Sequence, residues 1–332
     1  MKFKTYTMED ALEVIIDYRG KTPKKSDSGI PTLSAKSVKN NYIDYSLCYY
    51  ISQDEYKRFM VRGFPKVGDV LLTTEAPMGM VARLDRDNVG IAQRLLALRG
   101  KKDVLDNEYL LYFLQSPIGQ SLLKARETGT TVTGIKQAEF RKIQINIPEI
   151  SIQKKIGGIL RSLDQKIEIN NKINENLEQQ AQAYFDELFV VNADSSWPDC
   201  TLSDIGTVIA GGTPSKSKVE YYADHGIAWI TPKDLSVDKS KFISHGENDI
   251  SELGFSKSSA TKMPAGTVLF SSRAPIGYIA IAQNEVTTNQ GFKSVIPNEN
   301  IGTAYVYFLL KDTFNKLGYK AKINTHTTSY IN

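Results

Sequence analysis

The longest regular pattern of apolar positions lies near the middle of the chain. Its positions follow one another at alternating steps of four and three residues: Ile156, Leu160, Leu163, Ile167, Asn170, Asn174, Leu177, Ala181, Tyr184 and Leu188. With no proline from Glu149 to Trp197, this heptad seam predicts a helix of about 34 residues and ~50 Å. Two seam positions are asparagine, which fixes register in a coiled coil at a cost in stability. The pattern favours a coiled coil, and an amphipathic helix packed on a domain is the alternative.

Short apolar runs bounded by glycine and proline flank this helix on both sides. Residues 69–74 and 267–272 are typical of half-buried strands. Residues 107–123 and 303–317 carry apolar side chains at helical spacing. Each flank therefore predicts a mixed unit of strands and helices, roughly 140 residues long, which is a normal domain size.

The two flanks are copies of one another. Four collinear segments match in pairs: 20–23 with 211–214, 68–79 with 266–277, 92–93 with 289–290, and 109–114 with 305–310. Matches in the same order with small insertions indicate duplication of one domain. The predicted fold class is α+β, with two repeated mixed α/β domains joined by a long coiled-coil-type helix. The predicted boundaries are 1–147, 148–192 and 193–332.

Composition excludes several classes of protein. The 332 residues are 41% hydrophobic and 23% charged, which excludes disordered and collagen-like chains. No apolar run approaches the ~20 residues of a membrane span, and the charged N-terminus does not resemble a secretory signal, so we expect a cytoplasmic protein. Two cysteines, 152 positions apart, and three histidines make a metal site improbable.

The positive charge is concentrated in the first domain. Lysine and arginine outnumber aspartate and glutamate by 23 to 17 in residues 1–147, against 5 to 7 in residues 148–190 and 13 to 13 in residues 191–332. An excess of +6 on one domain fits a polyanionic partner, and an ordinary solvated surface explains it equally well.

Catalytic constellations are missing from the sequence. It contains no phosphate-binding loop motif and no dinucleotide fingerprint. The first copy has no histidine, and the copies share no matched pair of carboxylates: Asp69 aligns with Thr267, and Glu75 with Arg273. We therefore expect no intrinsic enzyme activity.

Candidate nucleic-acid contacts lie in matched loops of the two copies. Cations and hydroxyls suit phosphate contacts, whereas arginine, glutamine and asparagine suit base edges in the major groove. In the first copy the candidates are Arg19, Lys21, Thr22, Lys24, Lys25, Lys36, Gln93, Arg94, Thr130 and Thr131. In the second copy they are Thr213, Ser215, Lys216, Lys218, Lys233, Arg273, Asn289, Gln290 and Lys293. Solvated loops, and amides that bond nearby backbone groups, are the alternative interpretation.

The central helix and the repeated loops together resemble a known family. Residues 148–156, with Leu160, residues 163–164, Ile167, and residues 170–176 and 181–189, resemble the first conserved region of type I restriction-modification specificity subunits. Segments 211–214, 271–277 and 289–293 resemble the target-recognition domains of that family. The likeness covers essentially the whole chain. One departure is Ile152, where the family usually has glutamate before the glutamine.

The resemblance implies a division of labour. Each recognition domain would read one half of a bipartite sequence in double-stranded DNA, and a ~50 Å helix would space the two domains by about one and a half turns of duplex. The helix would also dock methyltransferase subunits and, through them, the restriction/motor subunit. The subunit-binding positions are Ile156, Leu160, Leu163, Ile167, Asn170, Asn174, Leu177, Tyr184 and Leu188. S-adenosylmethionine, ATP and magnesium would bind to the partner subunits of this deoxyribonuclease and adenine methyltransferase complex, and this chain would bind no cofactor.

The second copy ends earlier than the first. Its last residue, Asn332, aligns near Ile135, so the sequence contains no counterpart of residues 136–189, where the family carries a second conserved helix. Three hypotheses follow. The chain is a working specificity subunit whose helix pairs with another copy or is covered by methyltransferase subunits; it is a truncated or silent recognition-domain cassette; or it is a helical protein-interaction scaffold with no DNA role. The target sequence cannot be read from the chain.

Overall fold

A computed structural model describes residues 2–18, 20–129, 133–198 and 200–317. The chain divides into two compact units, Met1–Ile173 and Asn174–Asn332, and the division falls inside the long central helix. Within the described ranges, no helix has both the length and the apolar character that crossing a bilayer requires.

The first unit contains three β-sheets. Its strands are β1 (Phe3–Thr7), β2 (Leu12–Asp17), β3 (Ile30–Leu33), β4 (Tyr49–Ile51), β5 (Val70–Thr73), β6 (Val81–Arg83), β7 (Gly90–Ile91), β8 (Leu95–Gly100) and β9 (Gln144–Pro148). The main sheet has the order β2-β8-β5-β6, a smaller sheet has the order β4-β3-β7, and β1 pairs with β9. In the smaller sheet, β3 is antiparallel to β4 and parallel to β7.

The main sheet of this unit is buried on both faces. Val70 and Leu72 of β5 face one hydrophobic cluster, and Leu71 between them faces another. Successive side chains of a strand point to opposite faces, so a strand covered on both sides is apolar throughout. The helices are α1 (Met8–Ala11), α2 (Gln53–Phe59), α3 (Asn107–Gln115), α4 (Pro117–Lys124) and α5 (Gln137–Arg141).

The second unit repeats this topology. Its strands are β10 (Gly206–Ala210), β11 (Tyr222–Ala223), β12 (Ile227–Ile230), β13 (Phe242–Ile243), β14 (Asn248–Ile250), β15 (Val268–Phe270), β16 (Ile279–Ala282), β17 (Thr287–Thr288) and β18 (Lys293–Pro297). The order β10-β18-β15-β16 reproduces the main sheet of the first unit, with β13 added at the edge. In the smaller sheet, β11-β14-β12-β17, strand β12 is antiparallel to β14 and parallel to β17, as β3 is to its neighbours. The predicted duplication is confirmed.

The helices of the second unit are mostly short, and the last one is long. They are α7 (Leu202–Ile205), α8 (Pro232–Val237), α9 (Glu252–Ser256) and α10 (Thr303–Leu317), which follow the central helix α6 (Ile150–Asp186) in the chain. The bounds of α10 are those that the sequence pattern predicts. The helix predicted over residues 107–123 is instead two helices, because Ser116 takes an extended conformation before Pro117 and caps α4 through a hydrogen bond from Gly119 N.

The long helix predicted at the centre of the chain is present. Helix α6 has 37 residues and a length of ~55 Å, and a π-helical turn, Glu187–Val191, follows it. Leu188, the last seam position, lies in this turn, where the i→i+5 bonding departs from the heptad spacing.

The N-terminal part of α6 packs within the first unit. Gln153 is buried, and its amide nitrogen donates to Val104 O (2.9 Å) and Pro148 O (2.8 Å), while its oxygen accepts from Asp106 N (3.0 Å). One turn later, Gly157 packs directly against α3. Ile152, the departure from the family pattern, is half-buried.

The C-terminal part of α6 packs within the second unit. Phe185 is buried in the cluster that contains Val306 and Leu309 of α10. Glu178 binds both Lys241 and Lys311, whose amino groups lie over the ring of Tyr307. Burial lowers the pKa of both lysines, and the proximity of Lys311 adds to the effect on Lys241.

A different face of α6 carries the predicted seam. Ile156 and Leu160 are half-buried, whereas Leu163, Ile167, Leu177, Tyr184 and Leu188 are between 53% and 64% exposed, and Asn170 and Asn174 are exposed as well. In the described residues, most of the seam is therefore left to solvent, and the contacts of α6 within each unit involve other positions of the helix. The sequence pattern predicted the seam and missed the domain-facing side.

Candidate nucleic-acid interface

The glycine pair that opens the first loop of the second unit fits a confined space. A Cβ on Gly211 would lie 1.9 Å from Asn289 O, and one on Gly212 would lie 2.3 Å from Ala260 N. Only glycine permits such close backbone approaches. The pair therefore holds the following residue, Thr213, beside the loop that contains Asn289.

Two aromatic side chains hold this loop through hydrogen bonds to its backbone. Trp229 Nε1 donates to Gly212 O (3.0 Å), and the Tyr222 hydroxyl donates to Pro214 O (2.9 Å). The two rings meet edge to face with centroids 5.8 Å apart. Burial raises the pKa of the Tyr222 hydroxyl.

A second loop, residues 271–278, is held by its own hydrogen bonds. The Ser271 hydroxyl donates to Pro275 O (2.9 Å) and accepts from Tyr278 N (2.8 Å). Thr73 of the first unit makes the same pair of hydrogen bonds at 2.6 and 2.9 Å, and both loops contain a cis peptide bond before their proline. The hydroxyl that the copies share here is therefore a structural group.

The two loops and the turn at residues 289–291 enclose a cleft of about 670 Å³. Its lining is Thr213, Lys216, Tyr222, Trp229, Thr231, Pro232, Lys233, Glu247, Asn248, Arg273, Ala274, Pro275, Asn289, Gln290 and Gly291. Six of the residues predicted from sequence come together here: Thr213, Lys216, Lys233, Arg273, Asn289 and Gln290. Sequence reasoning missed Tyr222, Trp229, Thr231 and Asn248. Trp229 was missed because its short apolar strand, Ile227–Ile230, is typical of a buried core.

The polar groups of the cleft differ in how far they are already satisfied. Asn289 Oδ1 accepts from Gly291 N (2.9 Å), so the side-chain oxygen of Asn289 stabilises the turn. Lys233 binds Glu247, and this hydrogen bond raises the pKa of the lysine. Thr213 Oγ1 is buried without a hydrogen-bond partner among the described residues. Arg273 and Gln290 are exposed.

The other candidates of the second unit lie outside the cleft lining. Ser215 and Lys218 are exposed in the first loop, where the Ser215 hydroxyl contacts that of Ser217 (2.9 Å) and Lys218 Nζ lies 3.8 Å from a Glu220 carboxylate oxygen. Lys293 begins strand β18 and pairs with Ala210.

In the first unit, the structure joins candidates from two loops. Gln93 Nε2 donates to Thr22 Oγ1 (2.7 Å), and Arg94 Nε lies 3.2 Å from Glu75 Oε2. Lys21 and Lys36 are exposed. Arg19, Thr130 and Thr131 lie outside the described residues.

Two further lysines of the first unit lie in the loop after β2. Lys25 Nζ lies 4.8 Å from the centre of the Tyr49 ring. Lys24 N donates to Glu55 Oε1 (2.9 Å), and this bond is the main reason that the pKa of Glu55 is lowered. Both lysine side chains are exposed, which leaves their amino groups open to a phosphate.

A family profile described as the type I restriction modification DNA specificity domain matches residues 2–179 and 194–331. The chain belongs to this family. The resemblance predicted from its motifs is therefore confirmed, and with it the fold class.

Individual relatives in this family are specificity subunits. The MjaIX specificity subunit of Methanocaldococcus jannaschii is 43% identical over 127 residues, which are 38% of this chain and 29% of that protein. The HindI specificity subunit of Haemophilus influenzae is 24% identical over 323 residues, covering 74% of this chain and 70% of that protein. The match thus spans under a third of the length of the first relative. The names of both agree with a non-catalytic subunit.

A solved structure of the family shares the fold. The crystal structure of the type I restriction-modification S subunit from M. genitalium aligns with a TM-score of 0.58 and 16% sequence identity, covering 97% of this chain and 83% of that one. At this identity the match supports the architecture of two repeated domains and a long helix.

Proposed function

We propose that this chain is the DNA-reading specificity subunit of a type I restriction-modification complex, in which each recognition domain reads one half of a bipartite target. The observation that carries the proposal is the cleft of the second unit. It gathers cations and amides from three separate loops onto one surface. These are the groups that contact phosphates and base edges in duplex DNA.

The first domain contributes most of the attraction to the DNA backbone. Its residues carry a formal charge of +6, and the exposed residues Lys21, Lys24, Lys25 and Lys36 lie in two loops. Exposed lysines bind phosphates with little dependence on sequence, and they release counterions when they do so. This domain thus supplies affinity that falls steeply with salt.

The exposed seam of α6 docks the methyltransferase subunits. Leu163 is 53% exposed and Ile167 58% exposed, which is unusual for apolar side chains spaced along one helix face. The restriction/motor subunit joins through the methyltransferase. S-adenosylmethionine, ATP and magnesium bind on those partners, where the chemistry takes place.

The salt dependence of DNA binding tests the proposal. The double variant Lys24→Ala/Lys25→Ala should bind all duplexes more weakly, and the slope of log K against log salt should become shallower by about two. Fluorescence anisotropy with a labelled duplex at several salt concentrations measures both quantities. The wild-type chain, with its methyltransferase subunit, should retain the duplex at low salt and lose it at high salt.

Lys101→Ala/Lys102→Ala is the matched control. It removes the same charge from the same domain, but these lysines follow the end of β8, whereas Gln93 and Arg94 precede its start, ~20 Å away. The control should leave the slope within about half a unit of wild type. An equal change in both variants would contradict a phosphate contact in the loop, and no retention of duplex by the wild type would contradict the function.

A further inference from the structure

The two recognition domains differ in charge at one matched pair of loop positions. Thr74 N donates to Arg94 O (2.9 Å) in the first domain, and Ser272 N donates to Gly291 O (2.8 Å) in the second. Because Thr74 and Ser272 make equivalent bonds, Arg94 corresponds to Gly291. The residues after Thr74 and Ser272 also correspond, so Glu75 occupies the position of Arg273. The arginine therefore lies on opposite loops in the two copies. In the first copy Glu75 forms an ion pair with it, whereas the described residues of the second copy contain no such pair for Arg273.

This exchange changes which side chains are available to a ligand. In the first domain, Arg94 is bound to Glu75, and the neighbouring Gln93 is bound to Thr22. In the second domain, Arg273 and Gln290 are exposed and have no ion pair or side-chain hydrogen bond within the described residues. The acid that lines the same cleft, Glu247, is bound to Lys233.

Hydrogen bonds fix the backbone beneath Arg273. The amide groups of Ser272 and Arg273 both point to Gly291 O (2.8 and 3.3 Å), and that of Gly277 donates to Ser271 O (3.0 Å). A phosphate site on a loop usually depends on free backbone N–H groups, and these three already have acceptors within the domain. Its long guanidinium side chain is instead displayed from a rigid turn beside two amides, Asn289 and Gln290.

We propose that Arg273 is a specificity-determining residue of the second domain, which reads a guanine in the target half-site. The planar guanidinium donates two parallel hydrogen bonds to O6 and N7 on the major-groove edge of guanine, a pattern that no other base pair presents at those positions. The inference rests on the proposed function, since it requires that the cleft meets DNA. Arg273, which has no ion pair within the described residues, is the arginine that reads a base, whereas Arg94 is paired with Glu75.

Selection from a pool of duplexes with a randomised centre tests this assignment. The chain is used together with its methyltransferase subunit, and the retained duplexes are sequenced. Wild type should yield a two-part motif with one guanine that is favoured by about 5- to 150-fold. Arg273→Ala should reduce that preference to less than about threefold at this position alone. Arg273→Lys should keep the salt slope and retain only part of the guanine preference, because an ammonium can donate to O6 and N7 but lacks the planar fork that fixes both hydrogen bonds.

Lys216→Ala is the matched control on the same cleft. It should weaken binding to all duplexes evenly and leave the motif intact. Since both side chains are exposed, thermal melting should show all three variants as folded as the wild type. If Arg273→Ala keeps the wild-type preference at every position, the inference is wrong while the proposed function stands. If the wild type retains no duplex at low salt, both are overturned.

Discussion

Gln153 shows how one buried amide attaches a long helix to a domain. Its side chain satisfies two carbonyl groups and one backbone N–H, which belong to the strand before α6 and to the segment before α3. An apolar residue would fill the space but leave three buried polar groups without partners. This accounts for the glutamine in the motif that follows Pro148.

Replacing Gln153 should therefore be costly. Gln153→Ala should lower the free energy of unfolding by at least about 2 kcal/mol, and Gln153→Glu by at least as much, because a carboxylate cannot donate to the carbonyls. Urea unfolding followed by circular dichroism measures the change. Gln165→Ala, an exposed position on the same helix, should stay within about 0.5 kcal/mol of wild type. A similarly small effect at Gln153 would show that water replaces its hydrogen bonds.

Single residues were the least predictable part of the candidate site. Residue type indicated that Arg273, Gln290 and Asn289 suit base edges, and the cleft brings all three together. It could not indicate that Asn289 accepts a hydrogen bond within its own turn, or that Gln93 donates one to Thr22, because both bonds depend on loop conformation. Nor could it find Trp229, whose partner Gly212 is distant in the sequence.

Helix α6 carries two adjacent glycines with opposite surroundings. A Cβ on Gly157 would lie 2.9 Å from Glu108 Cβ and 3.0 Å from Tyr109 N, whereas a Cβ on Gly158 would meet nothing within 4 Å. The first glycine thus allows α6 to approach α3 closely, and the second has no such role. The helix propensity of both residues is equally poor.

This contrast gives opposite expectations for the same substitution. Gly158→Ala should raise the free energy of unfolding by about 0.5–1 kcal/mol, because alanine favours the helix. Gly157→Ala should lower it by about 1 kcal/mol, since overpacking against α3 exceeds the gain in propensity. Thermal or urea unfolding of the two variants side by side measures both. Equal stabilisation by both substitutions would mean that α6 does not rest on α3 in solution.

Helices and strands were predicted well where the apolar pattern was regular or clearly bounded by turns. The span of α10 and the existence of α6 followed from helical spacing, and β5 and β15 from short apolar runs between turns. The break at Ser116 was missed because the apolar pattern continues through it, although Pro117 disfavours a helical residue before it. The side of α6 that packs on the domains was missed because several of its contacts are made by glycine, glutamine and glutamate, which an apolar pattern does not include.

At the scale of the whole molecule, duplication was the strongest signal in the sequence. Matched segments in the same order required a common fold, and the two units share their strand order. The partner that binds the seam of α6 is harder to identify from the sequence, because an exposed apolar seam fits more than one kind of partner. We propose methyltransferase subunits as the partner, and pairing with a second copy of α6 is the alternative that the heptad pattern suggests.

Sedimentation of a charged seam variant separates these partners. Leu163→Glu should abolish co-sedimentation with the methyltransferase subunit, because burying a carboxylate in an apolar interface costs several kcal/mol, at least about 100-fold in affinity. Gln165→Glu adds the same charge on the opposite side of the helix and should leave the complex intact. The circular dichroism of both variants should match that of the wild type, since both positions are exposed.

The behaviour of the chain alone decides between the two partners. If the seam docks the methyltransferase, the wild-type chain should sediment as a monomer in its absence. A wild-type dimer that Leu163→Glu converts to monomers, without loss of methyltransferase binding, would instead assign the seam to pairing between two copies of α6. In that case the methyltransferase would have to dock elsewhere on the chain. The neutral second domain and the basic first domain would then be present twice in one assembly, and the salt slope of DNA binding would roughly double.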